Sequence, residues 1–290
     1  MLARGMPDTK TLACSLCGSP AVERRYEETW NGSTYVGYHC AGCDLYQTLG
    51  TLDEISPEYL KLENDDLTEA HITLQTSHKG GGFAQWAALM RKLGNGQLQG
   101  NLLDIGCGVG GFLDFATSQG LEVYGYDASP VQIEMARRRH PRVANFIDLE
   151  PYRATLDAKV QFDFVTMWDV LEHIRTPGAL LAPLRAAMSP QGILFVSVPA
   201  AGPIGLKLAK AKLLKSDHGL IPYEHVFYYS RKSLRRLFEE HGYEVLDVGG
   251  VSLYPRELDV HEAVRRVATA AFKHTPLAFQ IYAAVRPRAS

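Results

Sequence analysis

The sequence contains no apolar run approaching the roughly 18 consecutive residues that a membrane-spanning helix needs. Its opening stretch, MLARGMPDTKTLAC, lacks the apolar segment of a secretory leader, so a cytoplasmic location is expected. An excess of either charge is missing as well. A formal net charge of -2 argues against the strongly basic surface of a general nucleic-acid binder, and an apolar share of 46% argues against disorder. Cysteine is scarce, at five in 290 residues, yet four of the five fall close together near the N-terminus. In a reducing compartment such pairs are metal ligands more often than disulfides.

Those four are Cys14, Cys17, Cys40 and Cys43, two Cys-x-x-Cys pairs that can supply the four soft tetrahedral ligands of a closed structural zinc site. Gly18 and Gly42 are expected at the two knuckles, where the backbone turns toward sulfur. Between the pairs, AVERRYEETW and STYVGYHC alternate like short strands around Asn31-Gly32, which predicts a hairpin and hence a zinc ribbon over residues 1–52. With four protein ligands no position stays open for water or substrate, so this metal is expected to be structural. A redox dithiol is the competing reading.

Residues 53–100 read as a linker and helical lead-in. Segment 53–75 is acidic and polar, while FAQWAALMRKL (83–93) has helical spacing and follows Gly80-Gly81-Gly82, which would permit a sharp turn or hinge. From residue 101 the pattern changes. NLLDIGCGVGGFLDFATSQG predicts a short strand, a glycine-rich turn and an amphipathic helix, and LEVYGYDAS predicts a second strand ending in Asp127. This is a nucleotide-binding half in which glycines admit a ligand to the backbone and the acid meets ribose hydroxyls. Gly106, Gly108 and Gly111 also satisfy G-x-G-x-x-G, so a dinucleotide dehydrogenase is an alternative. Against it stand Asp104, unhelpful beside a pyrophosphate, the D-x-G-x-G-x-G spacing, and the lack of a second catalytic domain after the core.

LLDIGCGVGGF with YGYDAS resembles the first two signatures of class I S-adenosylmethionine-dependent methyltransferases, and the resemblance extends over residues 80–287. FIDLE (146–150), FDFVTMWDVLEHI (162–174), GILFVSVP (192–199), LRRLFEEHGYEV (234–245) and LAFQIYAAVRP (277–287) are similar to that family's later elements. The resemblance implies an α/β, Rossmann-like sheet of seven strands with the last antiparallel, in a core spanning 101–290 with an acceptor-side insertion at 200–230. Asp104, Gly106, Gly108 and Gly110 would cradle the methionine part of S-adenosylmethionine, Asp127 the ribose, and Asp148 and Leu149 the adenine. Met167 and Trp168 would close over the cofactor. Cys107, inside the loop, reads as a small packed residue. Tyr126 and Trp86 read as core aromatics. The preceding ribbon resembles a bacterial subgroup whose members modify sugars and natural products.

Methyl transfer is an in-line displacement for which the enzyme supplies orientation and, for many acceptors, a base. Of ten histidines, His173 lies beside Glu172 just past the expected fourth strand, at the sheet edge where such folds bind ligands. His225, with Tyr223 and Glu224, lies in HGLIPYEHVFYYS (218–230), which resembles the Glu-His pair of ribbon-bearing sugar C-methyltransferases that acts in proton removal. Those enzymes carry an additional C-terminal domain that does not follow here. The candidate catalytic residues are therefore His225, Glu224 and His173. GLKLAKAKLLKSDH (205–218) sets Lys207, Lys210, Lys212 and Lys215 among leucines, an amphipathic cationic stretch suited to a lid, a phosphate-bearing substrate or a carrier protein.

Three functions compete. The leading one is methylation of a small-molecule acceptor. An RNA methyltransferase gripping its substrate through the ribbon is the second, disfavoured because that ribbon pairs Arg24 and Arg25 with three acids, Glu23, Glu27 and Glu28. A non-catalytic S-adenosylmethionine-binding module is the third. A carrier protein and a second copy of the chain are the macromolecular partners compatible with these features.

Overall fold

The computed structural model describes residues 12–30, 33–49, 69–94, 96–139, 145–146, 160–200, 225–251, 278 and 280–289. At the N-terminal end, β1 (Val22–Trp30) pairs antiparallel with β2 (Ser33–Cys40), and β2 pairs antiparallel with β3 (Tyr46–Leu49). The two strands predicted around Asn31-Gly32 are thus present. The third was not anticipated. Each cysteine pair closes a turn, with Gly18 N–H donating to Cys14 O and Asp44 N–H donating to Cys40 O, both at 2.8 Å. The left-handed residue of the first knuckle is Gly18 (φ 68°), as expected, but that of the second is Asp44 (φ 62°) rather than Gly42. Aspartate tolerates this region better than most residues, and Asp44 Oδ1 lies 2.8 Å from His39 Nε2.

α1 (Glu69–Leu93) runs without interruption through Gly80-Gly81-Gly82, so the turn or hinge these glycines would permit is not taken. A helical glycine costs about 1 kcal/mol relative to alanine but is not forbidden. Tertiary packing of the helix's C-terminal half offsets that cost: Phe83, Trp86, Ala87 and Met90 are buried against Phe112, Leu113 and Phe164 of the core.

The remaining chain builds one sheet. In chain order come β4 (Asn101–Ile105), α2 (Gly111–Ser118), β5 (Glu122–Tyr126), α3 (Pro130–Arg139), β6 (Asn145–Phe146), β7 (Phe162–Trp168), a 3-10 turn (Leu171–His173), α4 (Pro177–Ala187) and β8 (Met188–Pro199). β9 (Phe227–Tyr228), α5 (Arg231–Glu240), β10 (Tyr243–Gly250) and β11 (Gln280–Pro287) follow. The seven strands lie in the order β10-β11-β8-β7-β4-β5-β6. β6, β5, β4, β7 and β8 are parallel, and β11 is antiparallel to both its neighbours. This is the expected Rossmann-like sheet. Its central strands are apolar on both faces, as helix-covered parallel strands must be. Leu102, Leu103, Phe162, Val165, Met167, Leu194 and Val196 are all fully buried. Among the described residues no helix is long and apolar enough to cross a membrane.

β9 joins the two sheets' territories. It pairs with β3, Tyr46 opposite Tyr228 and Gln47 opposite Phe227, so the ribbon sheet ends on a strand contributed from beyond residue 200. Cys14, Cys40, Cys43 and Leu45 share a hydrophobic cluster with Leu171, Leu181, Phe227, Tyr229 and Phe238. The cysteine turns are therefore packed into the main core rather than tethered beside it.

Candidate active site and cysteine cluster

The loop between β4 and α2 is shaped by three glycines with positive φ, Gly106 at 75°, Gly108 at 53° and Gly110 at 91°. Only glycine occupies successive positions of this kind without strain. At Gly106 the packing adds a second reason, because a Cβ there would stand 2.2 Å from Val170 Cγ2. The N–H groups of Gly106 and Cys107 both donate to Tyr126 O, at 2.8 and 2.9 Å, tying the loop to the end of β5. Asp127, the next residue, accepts from Gly108 N at 2.9 Å through Oδ2 and from Ser129 N at 2.8 Å through Oδ1. Burial pushes its carboxyl above the usual aspartate range, and these backbone donors oppose that shift. Asp104 is buried on β4 and accepts a 2.7 Å hydrogen bond from Thr166 Oγ1 of β7, a partner the sequence did not disclose.

Trp168 ends β7 in an aromatic group, with ring centroids 5.1 Å from Phe83, 5.2 Å from Phe112 and 4.9 Å from Phe195. Met167 is fully buried among the strands. Cys107 is buried, and its thiol is pushed well up by burial and by the carboxylates of Asp104 and Asp127, the opposite of a reactive thiolate. Asp148, Leu149, Tyr223, Glu224 and the lysine-rich stretch 205–218 lie outside the described residues.

Beyond β7 the chain turns sharply. Asp169 has φ 58° and takes a hydrogen bond from Gln280 Nε2, and its N–H donates to Ser197 O at 3.0 Å. Asp169 opens the stretch DVLEH, but nothing in the local pattern marks it as the pivot of this turn. The 3-10 turn then presents Glu172 and His173. Val226 N–H donates to Glu172 O at 2.9 Å while Val226 O accepts from Thr48 N at 2.8 Å, so this one residue bridges the turn and β3 of the ribbon. His225 is thereby set beside His173 with ring centroids 4.9 Å apart, and beside Tyr228 at 5.4 Å. His173 Nε2 lies 3.9 Å from Glu172 Oε1. Glu172, His173 and His225 offer ligand atoms that all lie within 4.8 Å of one another. Two of the three predicted catalytic side chains, 52 positions apart in sequence numbering (225 less 173), are thus brought together with a fully buried carboxylate. Burial and the adjacent His173 pull His225 down to about 3, leaving its imidazole neutral. Burial and the charge of Glu172 push the Tyr229 phenol up, which keeps it protonated.

The four paired cysteines converge as expected. Cys14 Sγ is 3.5 Å from Cys43 Sγ, Cys17 Sγ is 3.6 Å from Cys40 Sγ, and all four sulfurs lie within 4.8 Å of one another. Four thiolates at about 2.3 Å from one ion stand about 3.8 Å apart, so the residues fit a tetrahedral zinc with little adjustment. Gln47, buried on β3, supports the first knuckle by accepting from Ser15 N at 3.0 Å and from Ser15 Oγ at 2.9 Å.

Comparison with known proteins bears directly on this geometry. The family model for a methyltransferase domain matches residues 79–248. The ubiquinone biosynthesis O-methyltransferase of Rhodopseudomonas palustris (strain HaA2) is 36% identical over 100 residues, 33% of this chain and 38% of that protein. The chain thus aligns with well under half the length of this relative. Among solved structures, a 1,6-didemethyltoxoflavin-N1-methyltransferase from Burkholderia thailandensis, with S-adenosylhomocysteine bound, is similar at TM-score 0.53 and 16% identity, covering 92% of this chain and 100% of that one. The plantazolicin methyltransferase, also with S-adenosylhomocysteine, is similar at 0.55 and 14% identity, over 80% and 95% of the two chains. At such identities the likeness establishes the fold alone. The family match runs from α1 through the glycine loop to β10, and on that ground the chain belongs to the methyltransferase-domain family.

Proposed function

We propose that the enzyme methylates a small-molecule acceptor, a sugar or natural-product intermediate, and that the acceptor's reacting group meets Glu172, His173 and His225. The observation that carries this reading is the convergence of two imidazoles on a buried carboxylate at the end of β7. The cluster begins two residues after Val170, whose side chain closes on Gly106 of the glycine loop, so cofactor loop and polar cluster adjoin. When bound, S-adenosylmethionine supplies an electrophilic methyl on a sulfonium. In this reading Asp104 and the left-handed glycines receive its methionine part, Asp127 its ribose, Trp168 with Met167 lines its pocket, and Asp148 with Leu149 faces its adenine. The Glu172–His173–His225 cluster handles the acceptor's proton, with Glu224 beside His225 in sequence as the orienting carboxylate. The cysteine cluster holds a structural zinc, which secures β3 and through it β9 and His225.

The test is transfer of a labelled methyl group from S-adenosylmethionine to a panel of sugar nucleotides, phenolic and heterocyclic natural-product scaffolds, and RNA. Labelling within the small-molecule panel is expected. Labelling of RNA alone overturns the acceptor class, and failure to bind S-adenosylmethionine in calorimetry overturns the assigned roles of the loop.

A further inference from the structure

Three side chains next to the glycine loop have the chemistry of a cation site. His173 Nε2 and Glu172 Oε1 are 3.9 Å apart, too long for a hydrogen bond. Two donors held on one ion at about 2.1 Å lie about 3.0–3.5 Å apart, so a shift of under an ångström brings both to the same ion. The imidazoles obey the same geometry. Rings bound to one ion through nitrogen at about 2.1 Å have centroids about 5 Å apart, and those of His173 and His225 are 4.9 Å apart at 68°. The third ligand, Glu172, is fully buried, where a negative carboxylate is stabilised by an adjacent positive charge.

We propose that Glu172, His173 and His225 hold a divalent first-row transition-metal ion that coordinates and acidifies a hydroxyl of the acceptor. Two imidazoles and one carboxylate suit this class of ion, and three protein ligands leave positions open for substrate, unlike the closed four-cysteine site. The proposal rests on the methyltransferase reading above and narrows the acceptor to one with a hydroxyl oxygen as nucleophile. The chemistry balances without a further reagent. On coordination the hydroxyl releases its proton to solvent, the oxygen lone pair forms the new O–C bond, and the C–S bond breaks with its electron pair passing to sulfur. The ion stays divalent throughout.

The full-length chain, stripped of metal, is to be titrated with Co2+ alone. Two ions per chain are expected. One gives the intense sulfur-to-cobalt charge-transfer absorption of a thiolate site, and the other only the weak visible bands of a nitrogen and oxygen site. His225→Gln and Glu172→Gln should each weaken the second site about tenfold or more while the thiolate band persists and S-adenosylmethionine affinity is unchanged, which controls for folding. A wild-type chain that binds Co2+ only with the thiolate signature overturns the proposal. If methyl transfer then still depends on His225, the function stands and the imidazole itself is the base.

Discussion

The glycine loop and the Glu172–His173–His225 cluster adjoin, yet they are built in opposite ways. The loop is made by one continuous stretch, residues 101–129, in which β4, three left-handed glycines and the Asp127 carboxylate fix each other through short-range bonds. The cluster is assembled from the turn after β7, His225 two residues before β9, and the ribbon strand β3, which bonds to Val226. A site built from one segment survives damage elsewhere. A site assembled from three transmits damage from any of them, and under the proposed function this makes the ribbon an indirect part of the acceptor site.

That contrast is open to direct test. His225→Ala should give the largest effect, cutting turnover about a hundredfold, the usual scale for losing a group that handles the acceptor's proton. The dissociation constant for S-adenosylmethionine should stay within about twofold, because no contact of the loop is touched. Equal losses of binding and turnover would dissolve the distinction between the two regions. Asp127→Ala should show the reverse pattern. Removing a carboxylate that clamps the loop and, in the proposed reading, meets the ribose should weaken cofactor binding about tenfold or more by calorimetry, with the ribbon's metal content unaltered.

Cys40→Ser tests the transmission itself. One zinc per chain is expected in the wild type by elemental analysis. The variant should lose most of it, with turnover falling severalfold as β3 and β9 loosen around His225 while cofactor affinity is retained. Undiminished turnover in a zinc-free variant would show the ribbon to be energetically separate despite its shared core. Thr166→Val should have the smallest effect. It removes the 2.7 Å hydrogen bond to Asp104 and leaves a buried carboxylate short of one donor, costing about 1–3 kcal/mol in stability read by denaturant unfolding.

Features that depend on neighbouring residues were legible in advance. The two Cys-x-x-Cys pairs marked the four cysteines that converge and the strand–glycine–helix pattern marked the loop, while the seven-stranded sheet with its antiparallel β11 was implied by the family resemblance. The first two are encoded within a few residues, by cysteine spacing and by the φ that only glycine adopts freely. Local rules also misled twice. Gly80-Gly81-Gly82 did not break α1, since the burial of Phe83, Trp86 and Met90 outweighs glycine's weak helix propensity. Gly42 did not take the left-handed knuckle, which fell to Asp44 with its bond to His39.

What the sequence determined by itself was the family, the glycine loop and the four sulfurs. The tertiary structure alone decided that β9 adds to the ribbon sheet, that the cysteine turns share the main core, and that His225 stands beside His173 and Glu172. Segments as far apart as Thr48 and Val226 are joined by burial and by backbone hydrogen bonds at strand edges. Neither is selective for partner at the level of local pattern: apolar burial is non-directional, and any edge strand offers the same N–H and C=O groups. Which segment meets which is settled only when the whole core closes.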